Sequence, residues 1–264
     1  MPTRQKNFVI VELIIVVAVL ALLASMGAAG YSRALDKAKE KVCENNLAQL
    51  GKAVAAYAAD NGEYYPCAWQ VTGKSWKDIW SWDSAISGYD GRAKIPIEDA
   101  MCYFRNEENP PAVYHCPAMP AVCTDARNEY TLNSYAMNSG GQERGKPRGI
   151  SYRSITTKSS SLKMPGEVFL LVERRGGEGW ENSWTKAPVL GGGQNGKFAA
   201  VGTPYAQLGW RLTITYGHGD TFNYLYADGH VAALKPLETV GAGGSTGERR
   251  NDNPKGHWTR EPND

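Results

Sequence analysis

Glu12 is the side chain that sits most awkwardly in its surroundings. It is the one ionisable group in FVIVELIIVVAVLALLASMGAAG, the 23 residues from Phe8 to Gly30. A carboxylate placed among apolar residues is costly, and by default it marks a functional pairing. A second group of chemical interest lies near the other end. In HGDTFNYLYADGHVAAL, His218 is followed by nine residues, then Asp228-Gly229, then His230. Imidazole and carboxylate are the groups of acid–base catalysis and of metal binding. Ten residues of extended chain span about 33 Å, so His218 and Asp228 meet only if the chain turns near Gly219-Asp220. The simpler reading gives Asp228 and Gly229 to a turn and leaves His218 to position the entry of a strand.

Cys43, Cys67, Cys102, Cys116 and Cys123 allow 15 arrangements of two bridges with one thiol left over, and the sequence does not choose among them. His115 beside Cys116 suggests zinc, yet Cys116 and Cys123 have six residues between them, wider than the usual two to four. No metal is expected from that spacing. GGGQNGK at Gly191–Lys197 falls short of a phosphate-binding loop, because Phe198 stands where Ser or Thr would hold magnesium. Trp69, Trp76, Trp80 and Trp82 offer either core packing or an aromatic platform for a glycan. No pairing of nucleophile and base stands out, and an enzyme is not expected.

The elements that must position these groups begin with a helix. Phe8–Gly30 is long enough to cross a bilayer once, since about 20 apolar residues span its core. Arg4 and Lys6 precede it without an acid, which predicts a cytoplasmic N-terminus. Beyond Gly30, Leu35, Ala38, Val42, Leu47, Leu50, Val54 and Tyr57 recur at close to a 3.6-residue period. Gly62 in Asp60-Asn61-Gly62 supplies a stop. A helix over 8–60 would be roughly 80 Å long. Trp76, Trp80 and Ile86 suit one face of a short helix ending near Gly88, and residues 138–149 read as an exposed loop. Strands are expected over 168–172, 212–216, 221–227 and 230–234. Within 221–227 the side chains alternate, and Asp228-Gly229 predicts a two-residue type I′ hairpin turn. Residues 236–264 read as a polar, flexible tail with Trp258 as its one anchor.

Net charge is +2, and losing Arg4 and Lys6 would leave 27 basic against 27 acidic side chains. A balanced chain carries no electrostatic footprint for nucleic acid.

Taken together, the basic leader, Phe8, three apolar residues, Glu12 and the apolar run resemble the N-terminus of a type IV prepilin or type II secretion pseudopilin. Residues 43–66 (CENNLAQLGKAVAAYAADNGEYYP), WDSAISGYDGR at Trp82, Cys116-Pro117 and SYAMN at Ser134 are similar to a bacterial subfamily of prepilin-like proteins. The spacing of His218 and Asp228-Gly229 matches the H-x9-DG signature of the prepilin processing-associated domain. Asn7 stands where the family usually has Gly, and Ala29 where it often has Pro.

This resemblance implies an α+β, pilin-like fold: a leader over 1–7, a transmembrane and assembly helix over 8–60, and a head over 61–235 on a small antiparallel sheet. It implies cutting by prepilin peptidase between Asn7 and Phe8, methylation of the new Phe8 amine, and pairing of that amine with Glu12 of a neighbour. The expected function is that of a structural subunit, major or minor, of a secretion pseudopilus or pilus-like fibre. The expected partners are other subunits, the peptidase, the inner-membrane assembly platform and membrane lipid. The expected location is the inner membrane in a single pass, with the head outside. Some pseudopilins bind calcium through head-domain acids; no EF-hand run occurs here, and no cofactor is assigned. Two alternatives stay open: a secretory signal peptide cut after small residues such as Gly27 or Ala29, and a membrane-anchored binder with an aromatic, glycan-recognising head.

Overall fold

The computed structural model describes residues 10–73, 79–97, 111–118, 133–140, 142–143, 146–173, 200–201, 218–242, 244 and 255–261. Asn7, Phe8, Trp76, Cys102, Cys123, the Gly191–Lys197 run and the strand expected over 212–216 lie outside them.

Helix α1 covers Ile10–Asp60, 51 residues. It ends at Gly62, whose φ of +63° a side chain would resist, with Glu63 N–H donating back to Ala58 O at 2.8 Å. The two ends of α1 differ in kind. Eleven large apolar side chains from Ile10 to Leu23 are 48–75% exposed. The buried stripe starts only at Cys43 and continues through Leu47, Leu50 and Val54, each fully buried. Leu35 and Val42, expected on that stripe, remain exposed. The expected stripe is thus buried at Leu47, Leu50 and Val54 and exposed at its N-terminal members, where the helix has not yet reached the head.

The head is built on strands that follow in order. Strands β1 (Trp69–Val71) and β2 (Ile79–Ser81) pair antiparallel, and α2 (Trp82–Ala85) continues directly from β2. The short helix expected around Trp80 is thus a strand that turns into one helical turn. Next come β3 (Tyr135–Asn138), the small hairpins β4 (Gln142–Glu143) with β5 (Lys146–Pro147) and β6 (Ser151–Tyr152) with β7 (Ile155–Thr156), then β8 (Phe169–Glu173). Strands β9 (Ala200–Val201), β10 (Phe222–Tyr226) and β11 (Val231–Leu234) complete the set. The main sheet has the order β11-β10-β8-β3-β9. Its pairs are antiparallel except β3 with β9, which run parallel.

Alternation along β10 divides its side chains between two cores. Leu225 joins Cys43, Leu47, Leu50 and Val54 of α1 with Met137 and Leu171. Phe222, Tyr224 and Tyr226 point to the other face with Phe169, Val172 and Trp258. Trp258 draws part of the stretch read as a tail into the head. Its indole Nε1 donates to Thr239 Oγ1 at 2.7 Å, and its carbonyl accepts from Asn138 Nδ2 at 3.1 Å. One aromatic ring is enough to close the second core, because it buries a large apolar area and satisfies its own N–H.

Two parts of the expected fold class are corrected. Among the described residues, no helix is long and apolar enough to cross a membrane. The transmembrane first half of the helix, and with it the single-pass inner-membrane location with an external head, is withdrawn on that finding. The sheet also differs from the small antiparallel one of a pilin-like head. It has five strands, mixed in direction, with a hydrophobic core on each face. A mixed α/β arrangement replaces the pilin-like class.

Candidate functional site

The described residues bring one chemically dense cluster together, at the junction of α1 and the main sheet. Cys43 enters from the buried stripe of α1. One turn on, Asn46 Nδ2 donates to the carbonyls of His115 (3.0 Å) and Ala112 (3.4 Å), holding the 3-10 turn Ala112–Tyr114 against the helix. The next residue, Cys116, has its N–H fixed by Ser134 Oγ at 2.9 Å. The two cysteines form a disulfide with Cα atoms 5.1 Å apart. Glu173 is the last residue of β8, and its Oε2 accepts the Asn223 N–H at 2.6 Å. His218 arrives through the turn 218–221, where Gly219 has φ +72° and Thr221 Oγ1 donates to the His218 carbonyl at 3.0 Å.

Convergence on one ring nitrogen is the notable geometry. His218 Nε2 lies 3.4 Å from Cys116 Sγ and 3.3 Å from Glu173 Oε1. The His218 and Glu173 side chains are 2% and 0% exposed. The ligand atoms of Cys43, Cys116, Glu173 and His218 all lie within 4.8 Å of one another. Among the described residues, His218 Nδ1 has no hydrogen-bond partner. Beside the cluster, burial pushes the Tyr135 hydroxyl well above its ordinary range, and the Glu173 charge adds to the effect.

A nucleophile–base–carboxylate relay needs the imidazole to face its two partners with different nitrogens. Here Nε2 faces both, and Cys116 Sγ is bonded and fully buried, so this cluster is not a hydrolytic triad.

The chain does turn at Gly219-Asp220, but it carries His218 to Glu173 rather than to Asp228. Asp228 lies at the other end of β10, where its Oδ1 is 2.7 Å from His230 Nδ1 and accepts the His230 N–H at 3.1 Å. The His230 ring stacks on Tyr226 with centroids 4.1 Å apart. Burial by itself would raise the Asp228 carboxyl; the bonds and charge of His230 outweigh it, and the net shift is downward.

The hairpin turn differs from the expected one. Gly229 N–H donates to Tyr226 O at 3.0 Å and Tyr226 N–H to His230 O at 2.9 Å, so three residues form the loop. Gly229 has φ +98°, whereas Asp228 is not among the positive-φ residues. This is a three-residue hairpin loop closed by a glycine bulge, in place of a two-residue type I′ turn.

Of the four tryptophans, Trp76 lies outside the described residues and Trp80 is half-buried. Trp82 is fully buried in the core, and Trp69 packs partly against that core with the Arg153 guanidinium 5.5 Å from its ring centroid. Glu12 lies in the first turn of α1. The pairing of Cys43 with Cys116 leaves Cys67 as a free thiol, pushed up to about 11 by burial. Sequence reasoning missed Glu173 altogether. Its signal was an acid closing the apolar strand FLLVE, which asks for a buried partner.

Comparison of the chain with family models, with curated proteins and with solved structures returns no match.

Proposed function

We propose that this protein is a structural subunit, major or minor, of a fibre of the type II secretion pseudopilus or type IV pilus kind, matured by prepilin peptidase. The observation that carries the proposal is the exposed apolar end of α1. A helix apolar on all sides is one that becomes buried in its working state. An exposed apolar surface of this extent marks an interaction site. Burying the exposed half of each of the eleven side chains from Ile10 to Leu23 is worth roughly 1 kcal/mol apiece, of order 10 kcal/mol in all. That is comparable with the 4–15 kcal/mol cost of association, so parallel packing of several copies can sustain assembly. The head then supplies a rigid outer body, anchored to α1 by the first core and by the Cys43–Cys116 bridge.

Within such a bundle Glu12 sets the register. In an apolar interior its carboxylate requires a cation, and the amine freed at Phe8 of a neighbouring copy supplies one at the right end of the helix. The role is one of assembly rather than catalysis. The test uses the full chain carrying a photoreactive side chain at Leu13. Irradiation should give a ladder of homo-oligomers, and Glu12→Ala should lower the yield of sheared fibres more than tenfold, since breaking a buried pair costs roughly 3–5 kcal/mol. Exclusively monomeric product, or an Ala variant that assembles like the parent, would overturn the reading.

A further inference from the structure

We propose that Cys43, Cys116, Glu173 and His218 form a redox-gated zinc site, closed while the cysteines are bonded and able to take one Zn2+ when they are reduced. The ligand set is the first argument. Two thiolates, an imidazole and a carboxylate are all zinc ligands, and the soft sulfur pair with imidazole favours zinc over magnesium or calcium. Geometry is the second. Bonds of about 2.0–2.3 Å to a tetrahedral zinc place its ligand atoms about 3.3–3.8 Å apart. His218 Nε2 already stands at 3.4 Å from Cys116 Sγ and 3.3 Å from Glu173 Oε1. Breaking the disulfide lets its two sulfurs part to about 3.8 Å, and all four ligand atoms already lie within 4.8 Å of one another.

Burial and positioning complete the case. Glu173 has no exposed surface; its Oε2 accepts the Asn223 N–H, and its Oε1 faces the His218 ring on the side where a divalent ion would sit. Each ligand stands on a separately anchored element: α1, the turn held by Asn46, the end of β8, and the turn 218–221. Such anchoring lets the site persist without the covalent bond. The signature histidine thereby acquires a role that Asp228, at the far end of β10, does not share.

A dithiol reductant gives two electrons and two protons to the Cys43–Cys116 bond and becomes a disulfide itself. Zinc then binds the two thiols and releases both of their protons. A disulfide oxidant then takes two electrons from the two zinc-bound thiolates and, with two protons, becomes a dithiol; the Cys43–Cys116 bond re-forms and the ion is expelled.

The experiment compares the full chain in detergent, oxidised and after treatment with a phosphine reductant, using Co2+ as the spectroscopic probe and Zn2+ as competitor. The reduced chain should bind one Co2+ with tetrahedral thiolate–cobalt absorption, displaced by one equivalent of Zn2+. The oxidised chain should show none. His218→Ala and Cys116→Ser should each weaken binding at least tenfold, with Glu173→Gln weaker than the parent and Cys67→Ser unchanged. Zinc should raise the melting temperature of the reduced parent and leave that of reduced His218→Ala unmoved. The proposal is overturned if the reduced chain fails to bind, whether folded or unfolded. It is equally overturned if His218→Ala binds as the parent does, or if the oxidised chain takes the metal.

Discussion

Gly51 packs α1 against Leu225 of the sheet, and its replacement tests how the helix is held to the head. A Cβ added there would lie 3.0 Å from Leu225 Cδ2 and 3.1 Å from Cδ1. For Gly51→Ala two effects oppose. Alanine gains about 1 kcal/mol of helix propensity over glycine, while the tight contact falls on the far end of a flexible side chain that can yield by tenths of an ångström. The two should cancel to within about 1 kcal/mol. For Gly51→Val the balance tips. Its two further methyls meet a fully buried Leu225 with no room to retreat, and overpacking of this kind costs about 1–3 kcal/mol. Valine recovers only part of the propensity gain, so a net loss near 2 kcal/mol is expected. In a chain of this size that lowers the melting temperature by about 4–8 °C. The assay is thermal unfolding of parent, Gly51→Val, Leu225→Ala and the double variant. If the contact is the cause, Leu225→Ala costs less in the valine background, with a coupling of about 1 kcal/mol or more. Strict additivity, or a Gly51→Val protein as stable as the parent, would refute the packing described here.

The remaining predictions concern the hairpin, the free thiol and the N-terminus. Gly229→Val should destabilise the head by more than about 1 kcal/mol, because a β-branched side chain resists the φ of +98° at that bulge; an unchanged melting point would refute the turn geometry. Burial raises the Cys67 thiol from 9.0 to about 11. A raised folded-state value means that the stabilisation is fully present below pH 9 and is lost as pH rises through about 11. Alkylation of Cys67 at pH 9 should therefore run roughly 50-fold slower than that of a free thiol, which is half ionised there, and equal rates would show that the site is open. N-terminal sequencing of the natively expressed chain should begin at Phe8, whereas a start near Gly30 or Tyr31 would establish a cleaved signal peptide.

What could be read in the sequence was what depends on near neighbours. The alternation of Phe222, Tyr224 and Tyr226 against Asn223 and Leu225 assigned β10 correctly, because a pleated strand has period two whatever its surroundings. The stop at Gly62 was legible for the same reason: a left-handed residue is a local need. The hairpin type was not, since the pair Asp228-Gly229 serves both a two-residue turn and a three-residue loop, and the strand register decides between them. The side of α1 that faces the sheet was legible at Leu47, Leu50 and Val54, but the point where its burial begins was not. Val42 and Cys43 are equally apolar, and the choice of Cys43 rests on Cys116, which lies 73 residues away.

The cluster of Cys43, Cys116, Glu173 and His218 shows the limit most sharply. Its members come from four elements, with Cys116 and His218 102 positions apart in sequence and Glu173 and His218 45 positions apart. Metal sites legible in sequence draw their ligands from close pairs on one loop or one helix turn, where the spacing itself encodes the geometry. Here the sheet order does that work. β8 lies beside β10, which sets the end of the first strand against the turn that enters the second. α1 then lies across them and adds Cys43, and Asn46 fixes the turn that delivers Cys116. One local clue did exist. Glu173 closes a strand of otherwise apolar residues, a place where a carboxylate is retained only if something compensates its charge. Glu12 drew attention on that very ground, and the same physical argument applied at Glu173 leads to His218.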